Sequence, residues 1–292
     1  MSILSVVIGK LLQNNIVYVC CFCMNNIKGA NFMFAYELYK RLHRKRNLIV
    51  LLFMLTIMLW DVYLVFKDSY INPANIYPGT PMSLVYKWTY IPPHAAFLSG
   101  LSHGHIPQTI IIWLMPIYLL LLGAGDHCAE HASHMDDMTK MRSSHKTYYA
   151  KLLAQFLYIT ITFIILATIN YLVCLVVFRH GQYTSLMGKD DLPLLLSSRS
   201  PYLSYITFII LFGLLSACYA TAITALSTLI PFRLIVWIVS FYFWYSQLSY
   251  LPNLYQPFTE DTFAMRLHDL VLYMIPLLIV IIISVIVNKV RR

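Results

Sequence analysis

Three histidines, His127, His131 and His134, recur at spacings of four and three, so on a helix their imidazoles share one face. Asp126, Glu130 and Asp137 form an acidic stripe beside them. Imidazoles next to carboxylates suit zinc or iron, which makes an integral-membrane metalloenzyme, di-iron or zinc, one reading of the segment. The remaining histidines form no second ligand group: His43, His94, His103, His105, His145, His180 and His268 are scattered. The other reading is a polar helix that leaves the membrane to meet a protein partner. The pair Asp136-Asp137 resembles half of a magnesium-diphosphate motif, but no second acidic pair accompanies it. No G-x-x-x-x-G-K-[ST] loop, G-x-S-x-G elbow or H-E-x-x-H zinc motif occurs, so neither ATP hydrolysis by a phosphate loop nor these forms of hydrolytic catalysis is expected of the chain itself.

These groups sit in an unusually apolar chain. Of 292 residues, 59% are hydrophobic and 11% charged, against about 25% charged in soluble domains. With 22 Tyr, 16 Phe and 5 Trp, the composition calls for lipid as solvent and excludes an ordinary soluble protein. The six cysteines show no paired spacing, so neither a disulfide framework nor a cysteine zinc site is expected. No cationic stretch or small-residue cleavage site frames the weak apolar run 16–24, so a cleaved signal peptide is not expected.

Runs of about 20 uncharged residues, the length a helix needs to cross the hydrocarbon core, predict six spans near 48–66, 106–125, 152–178, 202–227, 234–250 and 270–287. The fourth and fifth come from one long stretch, divided where Pro231 lacks the amide proton a continuing helix needs. Thirteen Lys and Arg then fall on one side, in 40–46, 140–151, at Arg233 and in 289–292, against Lys67, Lys87, Arg179, Lys189, Arg199 and Arg266 on the other. This bias places both termini in the cytoplasm and accounts for most of the net charge of +9 without a nucleic-acid partner. Before the first span, Phe32, Phe34, Ala35, Leu38 and Leu42 oppose Glu37, Lys40, Arg41 and Arg44, the pattern of an amphipathic helix lying at the membrane interface. Residues 1–31 read as an extension of uncertain role, and residues 67–105 as a proline-broken outer loop. Asp61 is the one acid well inside a span, which makes it a candidate for a substrate pathway as well as for a structural hydrogen bond near the interface.

This layout resembles the permease subunit of an ABC transporter of the ABC-2 type, over roughly residues 32–292. The resemblance rests on the basic amphipathic helix, on a second span running into an acidic cytoplasmic helix, and on the stretch Met141-Arg-Ser-Ser-His-Lys-Thr-Tyr-Tyr-Ala-Lys-Leu-Leu153 that opens span three. It continues in Leu251-Pro-Asn-Leu-Tyr-Gln-Pro-Phe258 before the last span. The chain departs from the family at Glu130-His-Ala-Ser, where a Glu-x-Gly-Thr stretch is usual, and at Ser143-Ser144-His145, where a proline precedes the basic residue. The resemblance implies an all-α membrane protein of six transmembrane helices, with a cytoplasmic coupling helix between spans two and three. It further implies a bacterial plasma-membrane exporter in which ATP and magnesium are bound by a separate ABC ATP-binding subunit, with no cofactor in this chain. A second permease copy, or a paralogous permease, would complete the path. Glu130, His134, Asp137, Arg142 and Lys146 are then the expected partner-coupling residues, and Asp61, Trp237 and Tyr242 the expected substrate-path residues.

Overall fold

The computed structural model describes residues 30–71, 91–99, 106–132, 135–181, 201–250 and 263–290, and all regular structure among them is helical. Helix α1 (Ala30–Leu42) ends where Arg44 turns extended, and the side chain of Asn47 donates to the Arg41 carbonyl at 2.9 Å, satisfying one of the orphan acceptors at that end. Helix α2 (Lys45–Phe66) runs on into a π-helical turn, Lys67–Ile71. A short helix α3 (Pro92–Ala95) follows, then α4 (Ile106–Trp113), α5 (Met115–Leu119) and a second π-helical turn, Leu120–Ala124. The remaining helices are α6 (Asp126–Ala132), α7 (Met135–Val177), α8 (Pro201–Leu229), α9 (Arg233–Tyr250) and α10 (Phe263–Val290).

Four helical stretches are long and apolar enough to cross a membrane: Lys45–Phe66, Tyr148–Val177, Pro201–Leu229 and His268–Val290. The expected span over 106–125 is instead α4 and the stretch after it, bent by 55° and apolar enough to count as one broken span. The expected span over 234–250 forms as α9, entered through a reversal at Ile230–Phe232 as Pro231 predicts, but Arg233, Ser240, Ser246, Gln247 and Ser249 dilute its hydropathy. The structure therefore holds four such helices among the described residues, or five with the bent pair, where composition predicts six.

Helix α8 lies at the centre. Its most apolar window is 61% buried, against 17% in α10, which turns most of its surface outward. Small residues allow the close approach of α8 to α7: a Cβ on Gly213 would lie 2.6 Å from Ile164 Cγ1 and 3.0 Å from the Thr160 carbonyl. Thr221 and Thr224 return their hydroxyls to the Ala217 and Ala220 carbonyls, so neither buried threonine leaves an unpaired donor.

The kink between α4 and α5 has an identifiable cause. Pro116 has no amide proton to give to the Ile112 carbonyl one turn back. Trp244, fully buried on α9, fills that vacancy with its indole N–H at 2.8 Å. Replacing Trp244 with Phe should therefore destabilise the fold by about 2–4 kcal/mol, part packing and part orphaned acceptor. Adding Pro116→Ala, which restores an amide donor, should recover some of that loss in thermal unfolding of the detergent-solubilised chain; equal losses with and without Pro116→Ala would refute the pairing.

Candidate functional site

Polar residues at helical spacing on three helices meet at the end of the bundle that carries the densest basic sequence. Helix α1 brings Glu37, Lys40 and Arg41, with Arg44 just beyond its end; α6 brings Asp126 and Glu130, four apart; α7 brings Lys151 and Gln155, again four apart. Lys40 donates to Glu130 at 2.5 Å and Lys151 to the other Glu130 oxygen at 2.7 Å. Asp126 accepts from Arg44 on one oxygen and from Arg46, at 2.9 Å, on the other. Arg41, almost wholly buried, donates one nitrogen to both Gln155 and the Gly123 carbonyl. Together these contacts clamp α1 onto α6 and the base of α7.

The amphipathic helix is present, but its orientation differs from the sequence expectation. Glu37 and Arg41 are buried against the bundle, while Tyr36 and Tyr39 are exposed at 57% and 49%. Leu38 and Leu42 still pack on the core. Charge complementarity decides the rotation, because α6 and α7 offer two carboxylates, a lysine and an amide to the face that patterning alone assigns to water.

Gly123 makes the clamp possible. It closes the π-helical turn with φ 106°, a conformation that side chains with a Cβ rarely adopt, and so turns its carbonyl toward Arg41. An added Cβ would sit 2.5 Å from Arg41 Nη1 and 3.0 Å from the Asp126 carboxylate. The electrostatics are strongly biased. Burial alone would push the Glu130 carboxyl up, but Lys151 and Lys40 outweigh it and hold the group down at about 2. Burial lowers the Arg41 guanidinium from its ordinary value, with Glu37 and Asp126 pulling the other way.

The expected coupling residues thus have different outcomes. Glu130 is engaged within the chain by Lys40 and Lys151. His134 lies outside the described residues, and Asp137, Arg142 and Lys146 lie on the first turns of α7 with side chains outside the described set. His127 lines the clamp, whereas the side chain of His131 is also outside the described set. Among the described residues no group of three His, Cys, Asp or Glu could hold a metal ion. Lys40, Arg41, Arg46 and Gln155 were not singled out as site residues from sequence, and Asp126 only as part of the acidic stripe; the signal was the match between a basic face on α1 and the acidic i, i+4 pair of α6.

The expected path residues occupy different environments. Trp237 is partly buried, with Arg233 stacked 5.7 Å above its ring, while Tyr242 on the same helix is 77% exposed. Asp61 is fully buried on α2, and a second polar cluster holds the segment Ile91–Ser99 inside the bundle. That segment's backbone is tied down by side chains from three helices. Asn170 accepts from Phe97 N and donates to Met58 O, Tyr205 accepts from Leu98 N, and Gln108 donates to Phe97 O.

No family model and no solved structure matches the chain. The chain is similar to the uncharacterized protein YybM of Bacillus subtilis (strain 168), 28% identical over 200 residues that make up 66% of this chain and 80% of that protein.

Two outcomes check the clamp. Gly123→Ala should lower stability by about 1–3 kcal/mol in thermal unfolding, through the strained φ and the displaced Arg41. Glu130, depressed in the folded state, contributes stability that is fully present above the ordinary carboxyl range near 4.3 and is lost as pH falls toward about 2. The unfolding midpoint should therefore drop across that window, and Glu130→Gln should flatten the drop; an unchanged pH profile in the variant would contradict the ion pairing.

Proposed function

We propose that the chain is the transmembrane subunit of an ATP-driven exporter of the ABC-2 permease type. It works in the bacterial plasma membrane as one of a pair of permeases, coupled to a separate ATP-binding subunit. The observation that supports this reading is the junction of a clamped polar end with a single long helix. Helix α7 runs 43 residues, about 65 Å at the usual rise, and its first 13 residues precede the apolar span that begins at Tyr148. A force applied to the α6–α7 connection outside the membrane would be carried into the bundle by a continuous rod, and the clamp would carry α1 with it. Such a lever suits a protein whose energy source is a separate partner.

In this reading the broken helix α4–α5 and helix α9 are the two further crossings, giving six, with both termini cytoplasmic. Asp137, Arg142 and Lys146, near the start of α7, make the partner contacts. Charged groups there set register and orientation with the ATPase. The membrane metalloenzyme reading has no specific observation in its favour.

Affinity purification of the tagged chain from its host in mild detergent tests the proposal. The expected result is a stoichiometric partner carrying a phosphate-binding loop, with ATP hydrolysis that vanadate stops. Arg142→Glu should reduce recovery of that partner about tenfold while leaving membrane insertion intact. A chain that purifies alone with stoichiometric zinc or iron would overturn the assignment.

A further inference from the structure

The clamp gathers more positive charge than its own carboxylates neutralise. Around it stand five cations, the four already paired and Arg41, against three carboxylates, Glu37, Asp126 and Glu130. Glu130 is taken up by Lys40 and Lys151, and Asp126 by Arg44 and Arg46. Arg41 is left with Glu37 as its strongest opposite charge. Only 5% of Arg41 is exposed, and its buried Nε has no acceptor. A guanidinium with an unanswered N–H in a water-poor setting is an anion site waiting for an acceptor.

The surroundings indicate what kind of anion. Arg41, Lys40, Arg44 and Lys151 line a cleft together with Glu37, Asp126 and Glu130, with Thr224 and His127 on its wall, and the cleft admits one water-sized group. That is room for one oxygen of an oxyanion and too little for a whole substrate. Arg44, on the rim of the cleft, immediately precedes α2, whose start exposes Leu48 and Ile49, while α1 exposes Tyr36 and Tyr39. Exposed tyrosines beside an exposed apolar helix face mark the headgroup level of a bilayer.

We propose that this cleft binds a phosphate oxyanion, that of an anionic phospholipid headgroup, with one oxygen entering between Arg41, Lys40 and Lys151 while the acyl chains lie along the exposed face of α2. The lipid then completes the surplus charge of the clamp and holds α1 at the membrane surface. Basic clefts between helices at the bilayer edge are suited to such headgroups.

The test is thermal unfolding of the full chain in neutral detergent, titrated with phosphatidylglycerol, phosphatidylcholine or inorganic phosphate. Phosphatidylglycerol should raise the midpoint by several degrees in a saturable way, and phosphatidylcholine should not. Arg41→Met should weaken the half-saturating concentration at least tenfold. Because that variant removes a buried ion that also holds α1 in place, Glu37→Gln gives an independent reading of opposite sign: it enlarges the charge surplus and should tighten the response several-fold. Lys289→Gln, which removes an exposed charge away from the cleft, should leave it unchanged. An equal, saturable response to inorganic phosphate, abolished by the same variants, would overturn the lipid as the source of the oxyanion. A phosphatidylglycerol response that neither Glu37→Gln nor Arg41→Met alters would overturn the site.

Discussion

The structure depends on one constraint, that a strongly cationic helix can be buried against an apolar bundle only if the bundle supplies the counter-charges. Lys40, Arg41 and Arg44 would otherwise hold α1 in water. Asp126 and Glu130 on α6, with Gln155 on α7, supply those partners, and charge-assisted hydrogen bonds offset the cost of desolvating the charges. The position of α1, the start of α2 and the sharp entry into α6 all follow. Gly123 belongs to the same arrangement, because only a residue free to adopt φ 106° can present its carbonyl to Arg41 at that bend.

Elsewhere the same accounting holds for the backbone. Wherever a helix is broken inside the bundle, a side chain from another helix answers the freed group: Trp244 for Ile112, Arg41 for Gly123, and Asn170, Tyr205 and Gln108 for the segment Ile91–Ser99. Non-helical backbone at this depth is tolerable only when protein surrounds it. These ties also explain why polar residues such as Asn170 and Gln108 occur in otherwise apolar runs.

Much of the architecture was legible in the residues themselves. The apolar runs located the apolar stretches of the four long helices within a few positions, although α7 and α10 begin well before them; Pro231 marked the reversal between α8 and α9, and the amphipathic pattern of residues 32–46 marked α1. The direction that α1 faces was not legible, since periodicity reports only that two faces differ. Which face is buried depends on Asp126 and Glu130, more than 80 residues away, and no local pattern carries that information. The kink between α4 and α5 was not legible, since Pro116 lies inside a run that reads as one span and the Ile112 carbonyl it leaves free is met by Trp244, over 100 residues further on. The burial of Ile91–Ser99 was likewise hidden, because that segment reads as part of an outer loop. A search for uncharged runs counts α9 as a span because it overlooks Ser240, Ser246, Gln247 and Ser249, which carry no charge but lower the mean hydropathy of the helix.

The most direct test of the clamp as the rigid element of the protein is a pulsed electron-spin distance measurement in lipid nanodiscs. Spin labels at the exposed positions Tyr39 on α1 and Tyr149 on α7 would report the docking of one helix on the other. The account predicts a single narrow distance distribution for the otherwise unmodified chain, and a broad one when Asp126→Asn and Glu130→Gln remove both carboxylates. A broad distribution before those substitutions, or a narrow one that survives them, would contradict it.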